Sequence, residues 1–250
     1  MRLGVLLALL VASSAMGQPA RVDVWAGVQP VSEPFEDGRV LRLAYVTPGP
    51  DGGAWRIDAD LESRFGERGL GLNIQHTRDL GERWTGAAYA GTGTDNIFLP
   101  RFRAGVEAGR KWGNQWVMAA GVGVFDAHDV HRDLLIHAEA RRRSEHWMIQ
   151  GGGRLSVSTP GTEVGGTLSM AVTHISPGGR WVLARVAASH EAWLVTEPVP
   201  LQVGFESVEG MVQVRQPVTG GVRVLVGAMH YRNPYYTRSG LEMGLSLDLP

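Results

Sequence analysis

The chain has 250 residues, with 24 basic against 25 acidic side chains, a net charge of −1 and no cysteine. That balance gives nucleic acid no electrostatic reason to bind, and without cysteine there are no disulfides, thiolate chemistry or cysteine-based metal sites. Glycine, at 34 residues, is about twice its usual share, which disfavours helix interiors and suits strands, bends and tight turns.

The N-terminus has the layout of a secretory signal. Arg2 is the positive flank, Leu3 to Ala12 the short apolar run, and Ala15, Met16 and Gly17 a small-residue cleavage site. Residues 1–17 are therefore expected to be a signal peptide and residues 18–250 the exported domain,. No later apolar run is long enough for a membrane helix, so the exported domain is either a soluble β-protein or a membrane barrel.

Beyond the signal the apolar residues alternate with period two. Trp55, Ile57, Ala59 and Leu61 share a face opposite Arg56, Asp58, Asp60 and Glu62. Phe102, Ala104, Val106 and Ala108 oppose Arg103, Gly105, Glu107 and Gly109, and Leu241 to Leu249 alternate with Glu242, Gly244, Ser246 and Asp248. This is strand periodicity. It predicts strands at 21–29, 39–47, 54–63, 68–78, 83–92, 101–111, 115–126, 132–142, 146–158, 163–175, 180–190, 203–216, 221–231 and 239–249. Every second connection is short and turn-like, such as 48–53, 79–82 and 176–179. The others tend to be longer, including 29–38, 93–100, 126–131, 191–202 and 233–239. Short turns at one end and longer loops at the other are the habit of outer-membrane barrels.

Trp25, Trp55, Trp84, Trp116, Trp147 and Trp181 recur every 29 to 34 residues. From Trp55 onward each opens a strand just after a short turn, where an aromatic girdle belongs. Trp55, Trp84, Trp116 and Trp147 are assigned to that girdle. Trp25 and Trp181 share parity with Asp23 and Arg185, so they point inward or sit on a bulge. The expected fold is all-β: a closed antiparallel transmembrane barrel of about 14 strands, with 12 as the alternative, since an open sheet in lipid would leave backbone groups unpaired.

Phe98 to Glu107, Gly121 to His131, the hairpin around Pro160 and Gly161, and the stretch Asp60 to Gly66 resemble the YaiO-type outer-membrane β-barrels. The resemblance implies an outer-membrane barrel without an assigned function. Some members of that family carry tetratricopeptide repeats ahead of the barrel, an architecture similar to exopolysaccharide exporters, and this implies polysaccharide handling.

The predicted inner face carries Arg56, Asp58, Asp60, Glu62, Arg103, Glu107, His137, Glu139, Arg141, Arg154, Glu209, Arg215 and Arg223. It is either a self-neutralising salt-bridge network or a channel with separated acidic and basic stripes. Asp126, His128, Asp129 and His131 have types and spacing that could bind a divalent metal, but they fall in a loop, and neither a metal nor a cofactor is expected. Ser189, His190 and Glu191 place hydrolase residue types side by side, yet neighbours on a strand face opposite ways, and a partner such as His174 would be needed. The reading is a monomeric outer-membrane pore, or an accessory to export of polar solutes or envelope polysaccharide. The alternatives are a structural barrel without a through-pore and, less favoured, a lipid-acting enzyme. Its partners would be outer-membrane lipids, lipopolysaccharide and the barrel-assembly machinery, with no nucleic acid; the segment His230 to Arg238 reads first as an outer aromatic girdle, and the alternative is that its arginines contact lipopolysaccharide phosphates.

Overall fold

A computed structural model describes residues 19–49, 52–96, 98–128, 131–160, 163–195 and 201–250, with side chains at 192–195 and 201–203 excepted. The proposed signal peptide lies outside the described residues. Fourteen strands follow one another: β1 Arg21–Gln29, β2 Gly38–Pro48, β3 Ala54–Arg64, β4 Glu67–Asp79, β5 Trp84–Gly93, β6 Phe102–Trp112, β7 Trp116–Asp126, β8 Arg132–Arg143, β9 Trp147–Thr159, β10 Val164–Ile175, β11 Trp181–Val195, β12 Leu201–Thr219, β13 Val222–Arg232 and β14 Thr237–Asp248. Each pairs antiparallel with its neighbours in sequence, and β1 closes on β14 from Arg21↔Asp248 to Val28↔Leu241. Closure leaves no free edge.

The outer wall identifies the solvent. Leu41, Ile57, Leu70, Val122, Ile136, Leu155, Leu168 and Met243 all project outward and are exposed, Leu168 by 72 %. Such an apolar belt is far beyond the few hundred Å² that a water-soluble surface carries, and it is the face a bilayer covers. The alternate residues turn inward, which reverses the usual order of a soluble protein: Glu62, Gln75, Asp133 and Glu139 are buried.

The chain ends and the short turns lie at one end of the barrel, here termed the inner end. The turn 220–221 is compact because Gly220 and Gly221 both take positive φ, which glycine adopts at no steric cost. At the other, outer end the connections are uneven. Segments 30–37 and 94–101 are long, but β3 and β4 are joined by Phe65 and Gly66 alone. Both take positive φ, 54° and 80°, the left-handed pair of a two-residue hairpin turn. A phenylalanine there is strained, and its ring is held edge-on to Phe35 at 5.3 Å and Tyr236 at 5.4 Å.

The expected loop at 191–202 is mostly strand. β11 and β12 stay paired past Glu191↔Phe205 to Val195↔Leu201. Glu191 itself sits in this ladder, opposite Phe205.

Inward-facing glycines receive the large inward side chains of adjacent strands. A Cβ on Gly105 or Gly123 would lie 2.5 Å from Tyr89, and one on Gly121 would lie 2.5 Å from His137. The Tyr89 ring therefore lies along the wall over β6 and β7 instead of projecting across the lumen. Gly105→Val is expected to destabilise the barrel by about 1–3 kcal/mol through overpacking, and adding Tyr89→Ala to recover most of that loss. The midpoint of urea unfolding, followed as loss of the faster-migrating unboiled band on a denaturing gel, measures both. Equal midpoints for parent and Gly105→Val would contradict this packing.

Candidate functional site

The lumen encloses a cavity of about 1000 Å³, touched at the inner end by Gly113, Asn114 and Gly179 and at the outer end by Phe65, Phe98 and Pro100. Of the charged residues singled out above, Arg56, Asp58, Asp60, Arg103, Glu107, Arg141, Arg154, Glu209, Arg215 and Arg223 line it. Glu62 and Glu139 are buried on the inner wall, and His137 bonds to Glu107 there at 2.8 Å.

Most of these charges are paired, within a strand, across neighbouring strands or over an intervening one. Near the inner end Asp23 meets Arg21 at 3.1 Å and Arg215 at 3.0 Å, and Arg223 grips Asp248 with two bonds of 2.7 Å. Arg42 bridges three strands, reaching Glu242 at 2.9 Å, Asp60 at 3.4 Å and Glu62 at 3.9 Å. Arg56 pairs with Asp58 at 2.6 Å, Arg185 with Glu209 at 3.3 Å, and Glu139 holds Arg141 at 2.6 Å and Gln150 at 2.7 Å. The two signs are interleaved here, not sorted into stripes.

Two arginines depart from that pattern. Among the described residues Arg103 and Arg154 make no ion pair; Arg154 reaches only the Thr167 hydroxyl, at 3.5 Å. Both act electrostatically on Tyr89, and Arg103 also feels Asp60 and Asp58 from three strands away. They add positive potential to the open part of the lumen.

The outer end is narrowed by what the loops bring in. Asn96 fixes the segment 94–101: its side-chain carbonyl accepts from the amides of Phe98 at 3.1 Å and Leu99 at 2.7 Å. Leu99 is thereby buried against Gly71 and Gly93. Across the mouth Tyr231 donates to Glu191 at 3.0 Å, and Ser207 also bonds Glu191. Asn233 donates to the Tyr231 hydroxyl at 3.1 Å and accepts from the amides of Tyr235 and Tyr236. Burial holds the Tyr236 phenol above its ordinary range, against the opposing pull of Arg238 and Arg64, so it stays neutral,. Glu191 and the segment His230 to Arg238 were singled out in the sequence, but for separate roles, and Arg64 and Ser207 were not. The members of this cluster come from β3, β11, β12, β13, β14 and their loops, so no local pattern could collect them.

The other candidates separate. Asp126 is taken by Arg101 and Arg132, the latter at 2.9 Å, while His128 bonds the Gly93 carbonyl at 3.1 Å and His131 meets Asp133 at 2.9 Å. Asp129 lies outside the described residues, and among those described no group of metal ligands converges. The Ser189 hydroxyl donates to Thr167 inside at 3.1 Å, whereas His190 bonds Glu206 at 2.9 Å on the other face, and His174 packs on Trp147 at 4.6 Å. No nucleophile–base contact forms among these three.

Trp55, Trp84, Trp116 and Trp147 are exposed on the outer wall near the inner end, and Trp25 and Trp181 face the cavity. Inward parity, not a bulge, accounts for the last two. Each of the six stands directly opposite an arginine or histidine on the next strand: Trp25↔Arg42, Trp55↔His76, Trp84↔Arg110, Trp116↔Arg142, Trp147↔His174 and Trp181↔Arg215. Arginines lie over the rings of Trp84, Trp116 and Trp181 at 5.8, 5.7 and 5.9 Å, a favourable cation–π geometry, while the His76 ring stacks on Trp55 at 4.3 Å. Trp112, outside the repeat, joins the belt with Arg110 at 5.2 Å.

A YaiO membrane β-barrel domain matches residues 20–191. Among curated proteins no sequence relative matches. Several solved outer-membrane barrels share the fold. The CymD monoaromatic hydrocarbon channel superimposes with a TM-score of 0.66 at 6% identity, covering 93% of this chain and 89% of its own. Omp33 of Acinetobacter baumannii gives 0.55 at 12%, covering 93% and 100%, and the KdgM porin in complex with disordered oligogalacturonate gives 0.53 at 9%, covering 92% and 99%.

Asp23→Ala would strand two guanidiniums beside the β1–β14 closure. A loss of about 3 kcal/mol is expected, the low end for breaking a buried pair, with a smaller loss for Asp23→Asn. Urea unfolding midpoints in detergent test this, and a change below 0.5 kcal/mol, the size of an ordinary surface substitution, would show that Asp23 does not anchor the cluster.

Proposed function

The chain belongs to the YaiO family of membrane β-barrels, and from that premise we propose that it is a narrow, charge-lined outer-membrane pore for polar solutes, serving as a channel or as an accessory to export of envelope polysaccharide. The observation that carries this reading is the cavity itself, whose lining includes residues of the inner turns and of the outer loops. Its wall is polar and charged, the character of a lumen that passes hydrated solutes. Structural likeness to porins and channels supports the same reading. In this reading the barrel works as a monomer among outer-membrane lipids and lipopolysaccharide, placed there by the barrel-assembly machinery.

A second reading is a structural barrel without a through-pore. It is favoured by the inward-folded segment around Leu99 and by the Phe35, Phe65 and Tyr236 rings at the outer mouth. Single-channel recording in planar bilayers separates the two. The pore is expected to give small, discrete steps, and Arg103→Ala with Arg154→Ala to increase the conductance and shift selectivity toward cations. A folded barrel that passes no current at any voltage would end the pore reading and leave the second.

A further inference from the structure

At the outer mouth two buried arginines lie close without a matching set of carboxylates. Arg238 is 7 % exposed and Arg64 8 %. They are near enough to repel each other, and both line the cavity. Arg64 makes one long ion pair, 3.7 Å to Glu62, a carboxylate it shares with Arg42. Arg238 makes no ion pair among the described residues, and its Nε and Nη1 are buried without a hydrogen-bond partner. A guanidinium in that state bears the full cost of desolvation unless something supplies an acceptor.

The surroundings are ring faces. Arg238 lies over Tyr231 with its Cζ 5.3 Å from the ring centre, and Arg64 lies between Phe65 at 6.0 Å and Phe98 at 5.7 Å. Tyr236 is 5.4 Å from Phe65 and 5.5 Å from Tyr231, which joins the two arginines into one aromatic-walled recess. Phe65 keeps its place there with a left-handed backbone, and strain of this kind tends to collect where a ligand is clamped.

We propose that this recess is a binding site for the anionic group of an acidic sugar, with the Arg64 and Arg238 guanidiniums holding the oxyanion and the aromatic rings flanking the sugar. Guanidinium forks match carboxylate and phosphate oxygens in a planar, two-point contact. Apolar walls with a few placed polar groups are the usual build of a small-molecule site. A carboxylate on a hexuronate and a phosphate on a hexose present the same chemistry to the pair. The site deepens the pore reading by naming a solute class, but it requires only the folded lumen, not conduction.

Binding to the purified full-length barrel in detergent micelles therefore tests it independently of any current. The probes are glucuronate, glucose 6-phosphate, glucose and inorganic phosphate, titrated calorimetrically. The expected result is saturable binding of one or both acidic sugars, none of glucose at the same concentration, and binding of inorganic phosphate weaker than that of glucose 6-phosphate. Which acidic sugar binds more tightly identifies carboxylate or phosphate as the favoured group. Arg238→Gln and Arg64→Gln should each weaken binding about tenfold or more, with the unboiled gel band retained, and Arg238→Lys should lose less. Unchanged affinity in folded Arg238→Gln and Arg64→Gln would overturn the site. Should a variant not fold, the parent decides: equal binding of glucose and the acidic sugars, or binding of none of them, overturns it as well.

Discussion

The structure depends on one constraint: within lipid no backbone amide or carbonyl can be left to water. Strands satisfy it only by pairing on both sides, which forces the last strand back to the first. That meeting, Val22↔Leu247 through Val28↔Leu241, is made of residues nearly the whole chain apart in sequence. The lumen charges add a second fastening beside it. Asp23 on β1 joins Arg215 on β12, and Arg42 on β2 joins Glu242 on β14. The polar interior is thus part of what closes the wall.

Closure sets the terms on which the interior is filled. The inward face must hold bulky and charged groups in a confined cross-section, and among the described residues no helix or second sheet separates them. Two devices divide the space. Opposite charges on the same or nearby strands neutralise one another, and inward glycines let Tyr89, His137 and Leu99 lie against the wall. Where pairing fails, at Arg103 and Arg154 in the open lumen and at Arg238 near the mouth, the positive potential is exposed to whatever enters. A cavity without those exceptions would be polar but electrostatically indifferent.

The barrel was largely legible in the sequence because period two is local. It needs no knowledge of partners, and strand positions, the inward set of charges and the inward parity of Trp25 and Trp181 all follow from it. The outer end was less legible because its organisation is not local. Phe65 and Gly66 fall in the connection between the strands expected at 54–63 and 68–78, and nothing nearby marks them as facing Tyr236. Asn96 did carry a readable signal, since an asparagine that caps two following amides is a known way to fold a loop on itself, yet the direction in which the loop turns depends on the glycines of β4 and β5. The pairing of β11 with β12 beyond residue 190 and the bond from Tyr231 on β13 to Glu191 both depend on partners that are distant in sequence. The tryptophan period was visible, whereas the arginine or histidine opposite each ring emerges only once the register is fixed.

The glycine-lined wall has a consequence for how such a barrel can diverge. Because successive residues on a strand serve opposite faces, a side chain appearing at Gly91, Gly105 or Gly123 would leave the lipid-facing belt as it is. Each of these positions meets Tyr89, Arg103 or Asn73 at close range, so each added carbon acts directly on the bore. The glycines thus mark volume already taken by neighbouring side chains, and a descendant of this chain gains a side chain there only together with a smaller residue at the facing position, a paired change that reshapes the interior while the outer surface presented to the envelope stays the same.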